Sequence, residues 1–307
     1  MTTTNLASAM PASAGLGTSL RKGMNSLGSM KDHGRAVPTV AVPTVAVAAD
    51  ATTARSGAPV RIDNLSKHFG RRRSTVTALD GVSLSFSAGS FTAVLGVSGS
   101  GKTTLLQCAA GLEQPSSGTV RLCGAELARL SDRQRAVLRR QRVGFVFQEL
   151  NLVPELTVGE NIALPLRLDR RHVAPAAIEQ AAARVGLRPG QLRRLPSQLS
   201  GGQQQRAAIA RALIISPEVI FADEPTGSLD PYTAEGVMRL LRQAAAGMTV
   251  VVVTHQPEVT RFCDRAVFLY AGRVDAVTTA PEPAAVAARL HALGERASGQ
   301  HASGGDW

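Results

Sequence analysis

Residues Gly96-Val-Ser-Gly-Ser-Gly-Lys102-Thr103 fit the pattern G-x-x-x-x-G-K-[ST]. They follow an apolar run, 91–95, and open onto a helical pattern, 102–111. A strand, a glycine-rich loop and a helix in that order restrict the chain to folds that present the loop at the end of a buried strand. Glycines let the backbone curl so that several N–H groups converge on phosphate oxygens. The helix N-terminus adds a partial positive charge. Lys102 is long enough to reach the β- and γ-phosphates, and the Thr103 hydroxyl can coordinate Mg²⁺. The candidate triphosphate-binding residues are therefore Gly96, Ser98, Gly99, Ser100, Gly101, Lys102, Thr103 and Thr104. The competing reading, an ordinary Gly/Ser turn, is disfavoured by the strand and helix on either side.

Around this loop, short apolar runs alternate with helical patterns. Residues 60–65, 82–86, 143–147, 219–222, 249–253 and 266–270 read as strands, and 176–185, 201–214 and 232–245 as helices. The alternation predicts an α/β fold with a mainly parallel sheet. The early strands have no helix between them, which predicts an antiparallel β subdomain at the front. Residues 1–58 are rich in Ala, Thr, Ser, Gly and Pro, repeat Val-Pro-Thr-Val-Ala at Val37 and Val42, and read as a disordered extension. The expected organisation is that extension, a domain over 59–280 with a helical part near 150–213, and a short helix over 284–293 followed by a flexible tail to 307.

Hydrophobic residues make up 44% of the 307, enough for a sizeable core. Cys108, Cys123 and Cys263 show no metal-ligand spacing, and three cysteines exclude a disulfide scaffold. No stretch reaches the ~18 uninterrupted apolar residues of a membrane span, and the first residues do not read as a secretory leader. The net charge of +11 fits nucleic acid, an anionic membrane, nucleotide phosphates or simply a solvated basic surface; charge alone does not choose among them, and the nucleic-acid reading carries little weight without a motif. The Arg clusters at 71–73, 133–142 and 193–194 read mostly as a solvated helix face.

Two further segments carry chemistry. Val219-Ile-Phe-Ala-Asp223-Glu224 ends an apolar run in two carboxylates, at the strand edge where ligands bind in doubly wound sheets. Asp223 can hold Mg²⁺ through water, and Glu224 can polarise an attacking water as general base. Leu199-Ser-Gly-Gly-Gln-Gln-Gln-Arg206 starts an amphipathic helix, with Ser200 suited to its N-cap. Gly201 and Gly202 stand where N–H groups would point at an anion.

With these motifs in order, the chain resembles the ATP-binding cassette (ABC) family over roughly 60–277. The resemblance rests on the phosphate loop, Gln148 after a strand, Leu-Ser-Gly-Gly-Gln at 199–203, Asp223 and Glu224, Ser228-Leu-Asp230, and a strand-end His255. It implies a P-loop ATPase core with an antiparallel β subdomain and a helical subdomain. It also implies two cassettes paired head to tail, as a homodimer or with a second ATPase subunit, each ATP held between one loop and the other copy's Ser200, Gly201, Gly202 and Gln203. Further implied roles are Gln148 as sensor of Mg²⁺ and water, His255 at the γ-phosphate, Asp230 in a loop crossing to the opposite subunit, and Phe69 stacking on adenine where the family usually has Tyr. Residues 145–162 and 222–230 are similar to the subfamily of lipoprotein-release, macrolide-export and antimicrobial-peptide-export ATPases, although Ser228 replaces the usual Asn. Those ATPases act with a separate membrane permease, so the chain is expected at the cytoplasmic face of the cell membrane.

The main alternative is an ABC ATPase acting on nucleic acid or ribosomes, or one that transmits force without cargo transport. Translation-type members generally carry two cassettes and repair-type members a long coiled coil. This chain has one phosphate loop and no long heptad run, so no nucleic-acid partner is expected. A non-hydrolytic binding module is disfavoured by the intact set Lys102, Asp223, Glu224 and His255.

Overall fold

The computed structural model describes residues 57–70 and 75–302. The chain divides into units 1–41 and 42–307, and all described residues belong to the second. The repeat at Val37 and Val42, the extension over 1–56 and Arg71–Arg73 lie outside the described residues.

In chain order the elements are β1 (Val60–Phe69), β2 (Val76–Phe86), β3 (Phe91–Leu95), α1 (Lys102–Ala109), β4 (Ser117–Leu122), β5 (Ala125–Glu126), α2 (Asp132–Arg142), β6 (Val143–Val146), α3 (Val158–Leu168), α4 (Pro175–Arg184), α5 (Gly201–Leu213), β7 (Val219–Asp223), α6 (Pro231–Ala244), β8 (Thr249–Val253), β9 (Arg265–Tyr270), β10 (Arg273–Thr279) and α7 (Pro283–Ala302). A six-stranded sheet runs β10-β9-β3-β8-β7-β6, with every neighbouring pair parallel except β9 and β10. A second, antiparallel sheet runs β2-β1-β4-β5.

The central strands are buried on both faces, which is why they read as continuous apolar runs. Strand side chains alternate between faces. Val250 and Val252 join a core with α3–α7, while Val251 and Val253 join a core with β1, β2, β4 and α1. Burying one such side chain stabilises the fold by about 1.5–3 kcal/mol.

Several elements depart from the sequence-based expectation. The strands expected at 60–65 and 82–86 extend to Val60–Phe69 and Val76–Phe86. β4, α2, α3 and β10 were not anticipated as elements. A capping box at Thr157 and Glu160 starts α3, with Thr157 N–H donating to Glu160 Oε2 at 2.9 Å; Pro165 in its last turns obscures the helical pattern. Ala271 and Gly272, both at positive φ, form the two-residue turn joining β9 to β10.

The short helix expected over 284–293 is part of a 20-residue helix, α7, and residues 303–307 lie outside the described residues. Buried Val286 and Leu293 pin it to the core. Asp275 binds it from below, accepting from Arg289 Nη2 at 2.8 Å and from Arg296 Nη1 at 2.9 Å.

The arginines of α2 are not simply a solvated face. Arg139 donates to Gly111 O at 2.5 Å, Arg140 to Asp169 Oδ1 at 3.1 Å, and Arg142 pairs with Glu218 at 2.7 Å. Arg193 and Arg194 are exposed in a turn rather than on a helix.

Candidate active site

The strand order β3-β8-β7-β6 sets four loops side by side at the C-terminal ends of neighbouring strands. β3 leads into the loop 96–101, β8 into Thr254 and His255, β7 into Glu224, and β6 into Gln148. Segments more than a hundred residues apart are thus brought to one sheet edge, the position where doubly wound sheets bind ligands.

Two glycines of the phosphate loop are dictated by close approach. A Cβ on Gly96 would lie 2.3 Å from Leu269 O and 2.5 Å from Ser100 Oγ. Gly101 has φ +97°, and a Cβ there would lie 2.3 Å from Ala78 O. The loop is therefore seated on β2 of the antiparallel sheet. Ser98 and Gly99 are exposed, as is Thr103, and Thr104 is half-buried. Ser100 is set apart from these neighbours. It is buried with its hydroxyl packed against Gly96, so any contact it makes with a ligand is through its backbone.

Lys102 folds back over the loop, donating from Nζ to Gly96 O and Val97 O, each at 2.9 Å. Burial holds its ammonium below the ordinary lysine value, against the opposing pull of Glu224 and then Asp223. Burial also pushes the Asp223 carboxyl above its usual range. The Glu224 charge adds to that shift, while a hydrogen bond with the Thr103 hydroxyl and the charge of Lys102 oppose it.

Glu224 follows the last residue of β7 and lies in the left-handed region, with φ +43°. Its N–H donates to Val253 O at 2.9 Å, stitching it to β8. Its side chain is 13% exposed. Oε2 accepts from Thr254 Oγ1 at 3.0 Å, and Oε1 lies 2.7 Å from His255 Nδ1. Gln148 is exposed. A Cβ built on Gly227 would sit 3.6 Å from Gln148 Nε2 and 3.5 Å from Glu224 Cβ, so these side chains converge on one spot.

Phe69 is 41% exposed at the end of β1, which excludes a core role. The Lys67 ammonium lies 4.8 Å from its ring centroid. Ser200 stands at the N-cap of α5, its N–H donating to Gln203 Oε1 at 3.1 Å. The start of α5 lies against the loop ahead of α6 and the first turn of α6: Cβ atoms on Gly201 and Gly202 would meet Leu229 and Thr233 respectively. Asp230 caps α6, accepting from Thr233 N at 3.0 Å.

The sequence reading passed over Thr226, Thr254 and Gln256. Thr226 and Thr254 are fully buried, and Thr226 Oγ1 donates to Gln256 Oε1 at 2.9 Å. Only their adjacency to Glu224 and His255 hinted at a role. The three thiols take no part: burial pushes Cys108 up to about 11 and both Cys123 and Cys263 up to about 12. Among the described residues no cluster of three His, Cys, Asp or Glu side chains could hold a metal ion.

Residues 79–227 match the family model described as ABC transporter. The lipoprotein-releasing system ATP-binding protein LolD of Anaeromyxobacter dehalogenans is 43% identical over 220 residues, 70% of this chain and 92% of that protein. The chain belongs to the ABC transporter ATP-binding family. The bacitracin export ATP-binding protein BceA of Halalkalibacterium halodurans is 38% identical over 69% of this chain and 85% of its own length. The methionine import ATP-binding protein MetN of Haemophilus influenzae is 41% identical over 70% of this chain, which spans 63% of that relative. Overall identity therefore does not distinguish export from import. Among solved structures, the dimeric post-hydrolysis state of the cassette MJ0796 bound to ADP and phosphate superposes with a TM-score of 0.67 at 37% identity, over 73% of this chain and 99% of that one. The fold is thus that of an ABC ATPase, and this ABC ATPase binds and hydrolyses ATP. Among the described residues, no helix is long and apolar enough to cross a membrane.

Proposed function

We propose that this ABC ATPase cleaves ATP at the γ-phosphate to drive a separate membrane permease, with Glu224 as general base. The observation that carries this reading is the Glu224 carboxylate, held between Thr254 and His255 at the sheet edge that also bears Lys102 and Asp223. Glu224 accepts a proton from water as the water oxygen bonds to the γ-phosphorus. The bond from that phosphorus to the bridging oxygen breaks, and ADP leaves with the electron pair. Lys102 and the N–H groups of residues 96–104 stabilise the charge on the phosphate oxygens. His255 turns from Glu224 towards the γ-phosphate, Gln148 orients the water, and Phe69 offers its free face to adenine.

Thr103, Gln148 and Asp223 are oxygen donors, the set a hard cation such as Mg²⁺ takes. Burial, and after it the Glu224 charge, raises the Asp223 carboxyl, and a divalent cation beside it would favour the ionised form. Bound there, Mg²⁺ supplies charge neutralisation at the β- and γ-phosphates.

Two copies, or this chain and a second ATPase subunit, pair head to tail. Ser200, Gly201, Gly202 and Gln203 of one then meet the triphosphate on the other's loop, with Asp230 in the segment that crosses between them. The likeness to the dimeric cassette supports this pairing. A groove of about 380 Å³ between α2, β6, α3 and α5 suits the permease contact. It is lined by Phe145, Phe147, Leu164 and Leu168 and rimmed by Arg139, Arg140 and Arg211. Phe147 adjoins Gln148, so a partner seated there reaches the active site directly. Residues 145–162 favour outward movement of a lipoprotein, peptide or macrolide class of cargo, from the cytoplasmic face of the membrane.

The test is Glu224→Gln, assayed by phosphate release and by ATP-dependent dimerisation. The expected variant binds ATP, accumulates as a dimer and has no turnover. Wild-type turnover in that variant sinks the proposal.

A further inference from the structure

The loops bearing Glu224 and His255 are tied by more than the pair itself. Thr254 is fully buried, and its hydroxyl has both its roles assigned. It accepts from Gln256 N at 3.1 Å and donates to Glu224 Oε2 at 3.0 Å. A hydroxyl has one proton to give. The Gln256 N–H therefore orients the Thr254 oxygen so that its proton points at the carboxylate. Gln256 is fixed in turn by Thr226, two residues beyond Glu224. The ring of contacts Glu224–Thr254–Gln256–Thr226 closes on the β7 side of the site.

We infer that Thr254 is a positioning residue for Glu224: its buried hydroxyl holds Oε2 in place, leaving Oε1, the oxygen shared with His255, as the one that takes the proton from water. A glutamate carboxyl rotates broadly about its last torsion. Without the Thr254 bond, both oxygens are free to turn, and the base spends less time aligned on the water. This inference rests on Glu224 being the general base.

The experiment compares Thr254→Val, which is nearly isosteric and lacks the hydroxyl, with Thr254→Ser, which keeps it. ATP titration, melting temperature, kcat and KM are measured on the full chain, with Glu224→Gln as reference. The expected valine variant folds, keeps its KM for ATP within about twofold, and loses at least about tenfold in kcat. Serine restores kcat. If valine prevents folding, the same split is read on Thr254→Ala. Wild-type kcat without the hydroxyl, or a serine variant as impaired as the valine one, overturns the inference while an inactive Glu224→Gln leaves the general base standing. Normal turnover in Glu224→Gln overturns both.

Discussion

Glu224 Oε1 and His255 Nδ1 share a 2.7 Å contact across two loops that leave the adjacent parallel strands β7 and β8. The glutamate side chain is 13% exposed and the histidine 65%. The proposed base is therefore anchored in the protein, while the His255 imidazole stands in the solvent. Replacing His255 by Ala removes the contact with the γ-phosphate proposed above for the transition state. The expected loss is on the order of 10²–10³ in kcat, with ATP affinity nearly unchanged. Phosphate release and equilibrium ATP titration check it, and wild-type turnover in the variant contradicts it.

Asp223 sets function against stability. Burial, reinforced by Glu224, holds its carboxyl above the ordinary value. Its ionised form at neutral pH thus opposes folding. That opposition is absent at low pH, begins as pH rises above the unfolded carboxylate value, and is complete above the folded one. Asp223→Asn mimics the protonated form. It is expected to melt higher than wild type at pH 7 without nucleotide, by roughly 2–4 °C per kcal/mol relieved, and to lose Mg²⁺-dependent hydrolysis. Thermal scans at pH 4 and pH 7 check the sign: the gap between variant and wild type should narrow at the lower pH.

Gly101 is the position where the phosphate loop can least accept a side chain. Its φ of +97° and the 2.3 Å approach to Ala78 O oppose a Cβ together. The left-handed conformation alone costs roughly 1–2 kcal/mol for a non-glycine residue, and backbone carbonyls do not move aside cheaply. Gly101→Ala is expected to weaken ATP binding at least about a hundredfold while the far-ultraviolet circular dichroism stays native. Retained affinity would show that the loop is not seated on β2.

Asp264 ties the start of β3 to α6. It accepts from Phe91 N at 2.8 Å and from both Arg242 Nη atoms, at 2.9 and 2.7 Å. Arg242 holds its carboxyl below the usual range, outweighing the effect of partial burial. The resulting stability is present above the unfolded carboxylate value and is lost as pH falls through the folded value. The pair is partly exposed, so Asp264→Asn is expected to cost only about 1 kcal/mol at pH 7. It should also flatten the acid limb of the stability curve below about pH 4. Urea melts across that range measure both.

Whatever the chemistry requires to be local was legible in the sequence. The curl of Gly96–Thr103, the carboxylates ending 219–224 and the capped glycines at 200–203 each need their residue types at a fixed short spacing, because one backbone turn must present several groups at once. The buried strands 219–222 and 249–253 were legible too, since a strand covered on both faces has no polar side to hide. α7 was cut short because small and polar residues after Leu293 weaken its local helical signal; packing of Val286 and Leu293 and the Asp275 bonds extend it. What only the tertiary structure decided is who stands beside whom at the sheet edge. Thr254 faces Glu224, and Thr226 faces Gln256, each pair 30 residues apart. Their meeting depends on β7 lying next to β8. Parallel neighbours are chosen by the packing of helices on both faces of the sheet, and no spacing along the chain records that choice.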